Sequence, residues 1–257
     1  MGIVNVTPDS FYTGSRVNEE KDLLLRAEQM LTDGANILDI GGYSTRPGAQ
    51  DISPAEEEKR VVTAVKAIYK AFPQAVISID TFRAEVARKA VEAGAALIND
   101  VSGGTLDERM FETVAQLSVP YVLMHMKGTP QTMKSEANYQ NLLEEIMSYF
   151  SEKVRVLTRM GVADIILDPG FGFAKTINHN FELLNKLEHF HIFGLPLMAG
   201  LSRKSMIHRT LQVTPEEALN GTTVCHTIAL IKGASILRVH DVKEASQAIK
   251  LVRSTIN

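Results

Sequence analysis

With a single cysteine, Cys225, the 257-residue chain has no internal disulfide. Its setting, TTVCHTIAL, is that of a packed helical residue and not of a nucleophile. Such cysteine usage fits a reducing compartment. No basic block occurs: 27 lysines and arginines stand against 30 acidic residues, a formal charge of -3, so neither nucleic acid nor an anionic membrane finds an electrostatic footprint. No apolar run approaches the roughly 18 residues of a membrane span. Asn5 and Pro8 break the first apolar stretch too early for a signal-peptide core. A soluble, cytoplasmic protein with small-molecule partners is expected. Linker-like runs of Gly, Ser and Pro are also missing, so residues 1–257 are expected to form one domain. The phosphate-binding sequence Gly-x4-Gly-Lys-Ser/Thr is absent, and Ser202-Arg203-Lys204-Ser205 is no substitute for it.

What is present is an alternation repeated along the chain. Short runs rich in Ile, Val and Leu occupy 1–6, 36–42, 75–80, 96–101, 121–125, 164–170, 196–202 and 235–241. Between them, apolar residues at three and four spacing predict amphipathic helices, as at 23–31, 57–72, 85–94, 109–117 and 181–190. Ser53-Pro54 with Glu57 and Thr214-Pro215 with Glu217 read as helix starts, and Gly34, Gly94, Gly161 and Gly233 as helix ends. Near-continuous apolar strands that alternate with helices predict a parallel sheet covered on both faces. Eight of them, with a helical pattern over 243–256 after the last, predict closure into a (β/α)8 TIM barrel. The connections at 7–20 and 43–53 are long enough for functional loops.

A barrel of this kind builds its site at the carboxyl ends of its strands. Those ends carry Asn5, Gly41-Gly42, Asp80, Asn99-Asp100, His125, Asp168, Ser202-Arg203-Lys204, and Arg238, His240 and Asp241. The strand interiors are otherwise apolar, so the polar set predicts a ligand site. In Asp168-Pro169-Gly170 a buried strand stops dead and leaves a carboxylate at its end. Other polar residues carry two readings. Asp39 is either a site residue or only a supporting, salt-bridged one, and His125, between two methionines, is either a core histidine or a ligand contact. His189 and His191 read as surface residues with no third metal ligand nearby, and Glu56-Glu57-Glu58 as a solvated first helical turn.

Asp80 and Asp168 in one mouth with Asn99 and Lys204 suit a 2-amino-4-oxo heterocycle, guanine-like or pterin-like. Carboxylates accept paired N–H groups, an amide donates and accepts, and a lysine meets a ring carbonyl or nitrogen. Asn5, Arg238 and His240, expected on the other side, suit phosphate oxygens. A phosphorylated heterocycle is the composite ligand.

NVTPDSF (5–11), GGYSTRPGA (41–49), ISIDT (77–81), LINDVSGG (97–104), LMHMKGTP (123–130), LDPGFGF (167–173), GLSRKS (200–205) and RVHDV (238–242) closely resemble the dihydropteroate synthase family. The resemblance implies transfer of a dihydropterin-methyl group from its diphosphate to 4-aminobenzoate, in folate synthesis. By position it places Asp80, Asn99, Asp168 and Lys204 on the pterin, with Asp80, Asp168, Lys204 and Arg238 catalytic. Asn5, Arg238 and His240 fall on the diphosphate, with Mg2+ shared between it and Asn5. Thr45, Arg46, Pro47, Phe173 and Ser205 fall on the aminobenzoate side, and Asp9 and Phe11 on a loop that closes over it. A homodimer is implied by the resemblance alone; residues 218–233 read as interface or as core. Tyr43 stands where the family usually has Glu, and Arg83 where lysine is common. A short segment that usually precedes the first strand in the family has no counterpart here, which bears on closure at the bottom of the barrel. Two other functions share such a pocket: a pterin-dependent methyltransferase acting on a corrinoid protein, and a pterin-binding protein without turnover. Diphosphate release that depends on 4-aminobenzoate separates them from the synthase.

Overall fold

The structure is a computed structural model and describes residues 1–6, 16–44, 51–133 and 135–256. Each expected strand forms: β1 (Gly2–Asn5), β2 (Ile37–Gly41), β3 (Val76–Asp80), β4 (Leu97–Asp100), β5 (Tyr121–Met124), β6 (Ile165–Asp168), β7 (Met198–Ala199) and β8 (Ile236–Leu237). The helices are α1 (Arg16–Thr32), α2 (Pro54–Ala71), α3 (Ala84–Glu92), α4 (Met110–Leu117), α5 (Leu142–Arg159), α6 (Ile177–Asn185), α7 (Ser205–Leu211), α8 (Leu219–Ile231) and α9 (Val242–Ile256), with a 3-10 helix at Leu187–Phe193. Among the described residues no helix is long and apolar enough to cross a membrane.

All strand pairs are parallel, in the order β1 to β6, with β7 beside β8. Two single bridges, Leu167 to Leu197 and Gly2 to Val239, join these sheets into a closed TIM barrel. At the last seam Ile3 N donates to Val239 O and Val239 N to Met1 O, each at 2.9 Å. β7 and β8 are only two residues long although seven-residue runs were expected. Residues 235–239 donate first to Leu197 and Ala199 and then to Met1, so one extended stretch divides its bonds between two neighbours.

The period of two along each strand sorts the side chains into layers. Leu38, Ile40, Ile77, Ile79, Ile98, Leu123 and Leu167 pack outward into the main core under the helices. Leu97, Val122, Ile166 and Met198 form a separate apolar cluster, which is the inward layer of β4 to β7. On β2, on β3 and just after β8 the alternate positions are Asp39, Ser78 and Arg238, and the latter two both bond to Asp39. The barrel interior is therefore greasy on one side and ionic on the other, and the ionic side lies below the polar strand ends.

The helix boundaries follow local sequence signals. Ser53 Oγ accepts from Glu56 N at 3.2 Å with Pro54 in the first turn. The four glycines predicted to end helices have φ between 86° and 121°. Thr214 and Glu217 form the reciprocal box bonds, at 3.0 and 3.4 Å, but regular helix begins only at Leu219. The acidic run is a correction. Glu57 is fully buried, its carboxylate taken by Thr81 Oγ at 2.6 Å and Arg83 Nη1 at 2.7 Å, because the first turn of α2 faces the end of β3 and not solvent.

His226 on α8 is buried, and its Nε2 has no hydrogen-bond partner among the described residues. Burial lowers its pKa from 6.5 to about 4. A base with a depressed native pKa gives stability that is present above pH 6.5 and lost as pH falls toward 4. His226→Leu is therefore expected to gain on the parent by about 1.4 kcal/mol per pH unit through that window. Urea titrations at pH 7.5, 6 and 5 measure it, and a constant difference would contradict the assignment.

Candidate functional site

Asn5, Gly41, Asp80 and Asn99 lie side by side, since the register pairs Asn5 with Gly41, Gly41 with Asp80, and Asp80 with Asn99. Gly41 has no side chain to separate its neighbours. A Cβ there would stand 3.6 Å from Asp80 Oδ2 and 3.7 Å from Asn5 Oδ1. Asp168 ends β6 opposite Met124, with which it is paired.

Beneath this row Asp39 is 0% exposed and holds the arrangement from below. Its Oδ1 accepts from Ser78 Oγ at 2.6 Å, and its Oδ2 from Asn99 Nδ2 at 3.0 Å and Arg238 Nε at 2.6 Å. Arg238 Nη2 continues to Asp80 Oδ2 at 2.6 Å. The guanidinium thus bridges two carboxylates and belongs beside Asp80, where the sequence had suggested the far side of the mouth. Of the two readings of Asp39 the buried salt bridge is the one realised, and it fixes which way the Asn99 amide and Arg238 point.

The turn after β6 supplies the other wall. Gly170 N donates to Asp168 Oδ1 at 2.8 Å, Gly172 N to the buried Asn180 Oδ1 at 2.6 Å, and Lys204 Nζ to Phe171 O. Lys204 Nζ also stands 4.9 Å from the centre of the Phe173 ring. Gly170 has φ 74°, and a Cβ on it would meet His125 O at 2.0 Å. Gly170→Ala is accordingly expected to cost more than about 4 kcal/mol and to leave little soluble protein. A parent-like denaturation midpoint for that variant would refute the packing described.

Residues 1–240 match the family model described as Pterin binding enzyme. The chain belongs to the pterin binding enzyme family. This pterin binding enzyme is 44% identical to dihydropteroate synthase of Escherichia coli (strain K12) and 43% identical to that of Bacillus subtilis (strain 168). Both alignments span all of this chain, and 91% and 88% of those proteins. Among solved structures, Yersinia pestis dihydropteroate synthase in a sulfonamide drug complex superposes with a TM-score of 0.91 at 43% identity, over 99% of this chain and 93% of that one. Xanthomonas albilineans dihydropteroate synthase with 4-aminobenzoic acid gives 0.91 at 36% identity, over 99% and 92%.

The electrostatics of this pterin binding enzyme follow from burial. Burial pushes the Asp80 carboxyl up to about 7 against the pull of Arg238, and raises Asp168 against Lys204 and the Gly170 N–H. Lys204 falls to about 8, because burial outweighs the attraction of Asp168. Burial thus moves Asp80, Asp168 and Lys204 each toward its neutral form, the kind of perturbation that marks a ligand site.

Other predicted residues lie elsewhere or have other partners. Asp100 points away from the interior and takes Ser102 N, Ser102 Oγ, Gly104 N and Tyr121 Oη, each at 2.7 Å, so it ties the turn after β4. His125 is a core histidine packed edge-on against Tyr149. Arg203 forms a two-point pair with Asp241, at 2.8 and 2.9 Å, and Ser202 Oγ accepts from His240 N at 3.2 Å. Ser205 opens α7 and is exposed, while Phe173 is half-buried with Met124, Met126 and Met133. His189 and His191 are exposed, and His191 Nε2 lies 3.2 Å from Lys232 O. Asp9, Phe11, Thr45, Arg46 and Pro47 lie outside the described residues. Tyr43 and Arg83 meet as a cation–π contact, 5.3 Å from Arg83 Cζ to the ring centre, with Gln131 Nε2 donating to Tyr43 Oη at 2.9 Å. The reading of strand ends missed Lys175, whose ammonium is buried behind the β6 turn. Its one signal was a lysine within a turn of glycine and phenylalanine.

Proposed function

We propose that this chain condenses 6-hydroxymethyl-7,8-dihydropterin diphosphate with 4-aminobenzoate, giving 7,8-dihydropteroate and diphosphate in folate biosynthesis. The observation that carries the reading is the inward set Asp80, Asn99, Asp168 and Lys204 in one barrel mouth, in a chain similar over its whole length to dihydropteroate synthases. Asn99 gives its N–H to Asp39, which leaves its Oδ1 to accept from the heterocycle. Asp80 and Asp168 accept the remaining ring N–H groups, and Lys204 donates to a ring carbonyl or nitrogen. Arg238, anchored by Asp39, has donors left for the diphosphate, and Asn5 and His240 belong to the same side.

Asn5 suits Mg2+ as well. Its amide oxygen lies next to Asp80 across the bare Gly41, and Mg2+ favours few protein oxygens combined with those of phosphate. Asn5 and the substrate diphosphate would hold it, and it would neutralise charge on the leaving group. In the reaction the bond from the methylene carbon to the diphosphate oxygen breaks, with its electron pair leaving on diphosphate. The arylamine nitrogen forms the new C–N bond and loses a proton. Arg238 and His240 favour departure by stabilising the leaving anion, and the carboxylates favour positive charge on the pterin that remains. Phe173 and Ser205, with Thr45, Arg46 and Pro47, form the aminobenzoate side, and Asp9 and Phe11 belong to the loop that completes it.

A homodimer is part of the reading. α8 buries Thr222, Cys225, His226 and Ala229 but exposes Val224, Ile228 and Ile231 at 52%, 37% and 63%, an apolar stripe at helical spacing that suits a second copy. The test of function is purified protein with the pterin diphosphate, Mg2+ and 4-aminobenzoate. Dihydropteroate and diphosphate are expected in equal amounts. Pterin binding without product would leave a binding protein, and pterin-linked methyl transfer to a corrinoid protein would replace the synthase reading.

A further inference from the structure

Lys175 is a half-buried lysine outside the set that the ligand would touch. Its Nζ lies 3.0 Å from Gly170 O, 3.1 Å from Phe173 O and 3.1 Å from His125 Nδ1, so all three ammonium donors have acceptors. His125 in turn donates its backbone N–H to Asp168 O at 3.0 Å, and Tyr139 Oη bonds to Ala174 O at 3.0 Å. The turn from Gly170 to Phe173 is therefore gripped on both sides, by Lys175 from behind and by Lys204 on Phe171 O from the mouth. A turn needs neither a buried charge nor a histidine to close, since Phe173 N already donates to Gly170 O at 3.1 Å. Burying an ammonium is costly, and here it is placed where its field reaches Asp168.

We propose that Lys175 is a positioning residue for the pterin site, its ammonium holding the Gly170–Phe173 turn in the shape that presents Asp168 and the Phe171 carbonyl. The inference rests on the reading of the mouth as a pterin site and deepens it. The charged and titratable groups around the pair come from four strand ends. They are His125 and Lys127 after β5, Asp168 itself on β6, Lys204 after β7, and Arg238 just after β8. Burial holds His125 down at about 2, so it stays neutral and accepts from Lys175 across the working range. Burial likewise brings Lys175 down to about 7, with Asp168 opposing, so its ammonium is charged over the acid half of that range, where the limb of Asp168 is read.

The sign of the effect is fixed. A ligand that needs ionised Asp168 binds fully above the pKa of that group and is lost as pH falls through it. Taking away the positive charge of Lys175 raises that pKa, so the loss begins at higher pH. Asp80 titrates nearby, but the charges acting on it are those of Arg238, Asp39, Glu57 and Asp100, so its limb stays in place when Lys175 is changed.

The experiment measures binding of unsubstituted pterin, 2-amino-4-oxopteridine, by fluorescence from pH 5.5 to 8.5, together with KM and kcat for both substrates. Lys175→Gln keeps donors for the two carbonyls and removes the charge. It is expected to raise the pterin Kd about tenfold near neutral pH and to move the acid limb upward by at least half a pH unit, with the aminobenzoate KM within twofold of the parent. Lys175→Met is expected to move the limb equally and raise Kd further, and Lys175→Arg to leave the limb in place. A limb and Kd for Lys175→Gln that coincide with those of the parent overturn the proposal, as does a loss of stability with no change in either. Should both neutral variants fail to accumulate, Lys175→Arg decides, with a pterin KM raised at least fivefold expected and a parental KM overturning the proposal. If the unaltered protein binds no pterin, it is the reading of the site that fails, and the two failures are thereby distinguished.

Discussion

Asp80→Asn is expected to lower kcat/KM by about a hundredfold or more while the protein stays folded. Both halves of this follow from the partners of one carboxylate. Asp80 Oδ2 accepts from Arg238 Nη2 at 2.6 Å, so the other oxygen is what faces a ligand in the mouth. An asparagine in that place keeps one acceptor and adds an N–H pair, and turned either way it sets a donor against Arg238 or against a ring N–H. The fold tolerates the change because Arg238 keeps Asp39 as an anion at 2.6 Å. Burial has already brought the Asp80 carboxyl to about 7, so a neutral side chain also removes a desolvation cost. Stability is expected to stay within about 1 kcal/mol of the parent. The pH profile supplies a second reading. Ionised Asp80 is present above its pKa, so the kcat/KM of the parent falls as pH drops through about 7, and Asp80→Asn lacks this component. Steady-state kinetics from pH 6 to 9, with urea denaturation of the same preparations, measure both. Turnover within threefold of the parent would remove Asp80 from the site.

How far the sequence discloses this arrangement depends on how local each interaction is. The strands, the cap at Ser53 and the glycine helix ends are set within a few residues, and they appear where the pattern puts them. The polar strand ends were also legible, because an acid or amide that closes an apolar run is a local event. What escaped is decided across the barrel. Arg238 finds Asp39 199 positions away and Asp80 158 away, so its place beside Asp80 is a consequence of closure. Glu57 looks like its neighbours in the acidic run, and only Arg83, 26 residues on, makes it a buried partner. Asn99 and Asp100 look equivalent in sequence, but the strand period sends Asn99 inward to Asp39 and Asp100 outward to Tyr121. Lys175 reads as a loop lysine until β5 brings His125 to it.

Asp39 carries the second large effect, and it is the residue the sequence left most open. Three side chains converge on its carboxylate, and each would lose its acceptor in Asp39→Leu: Ser78 Oγ, Asn99 Nδ2 and Arg238 Nε. Asp39 is fully buried and Arg238 mostly so, so water does not readily replace the missing anion. Removing one partner of such a pair costs about 3–5 kcal/mol, far more than the intact pair contributes. That is a large part of the 5–15 kcal/mol typical of a folded domain. Function falls with it, since a released Arg238 turns wholly to Asp80 and the Asn99 amide is free to rotate, so the heterocycle meets the wrong pattern of donors and acceptors. Asp39→Asn separates the two consequences. It keeps the shape and one acceptor, and it is expected to fold with a smaller loss than Asp39→Leu while still binding pterin at least tenfold more weakly. Denaturant midpoints and pterin titrations on both variants test this, and an Asp39→Leu protein as stable as the parent with unchanged pterin affinity would show that the buried ion pair organises nothing.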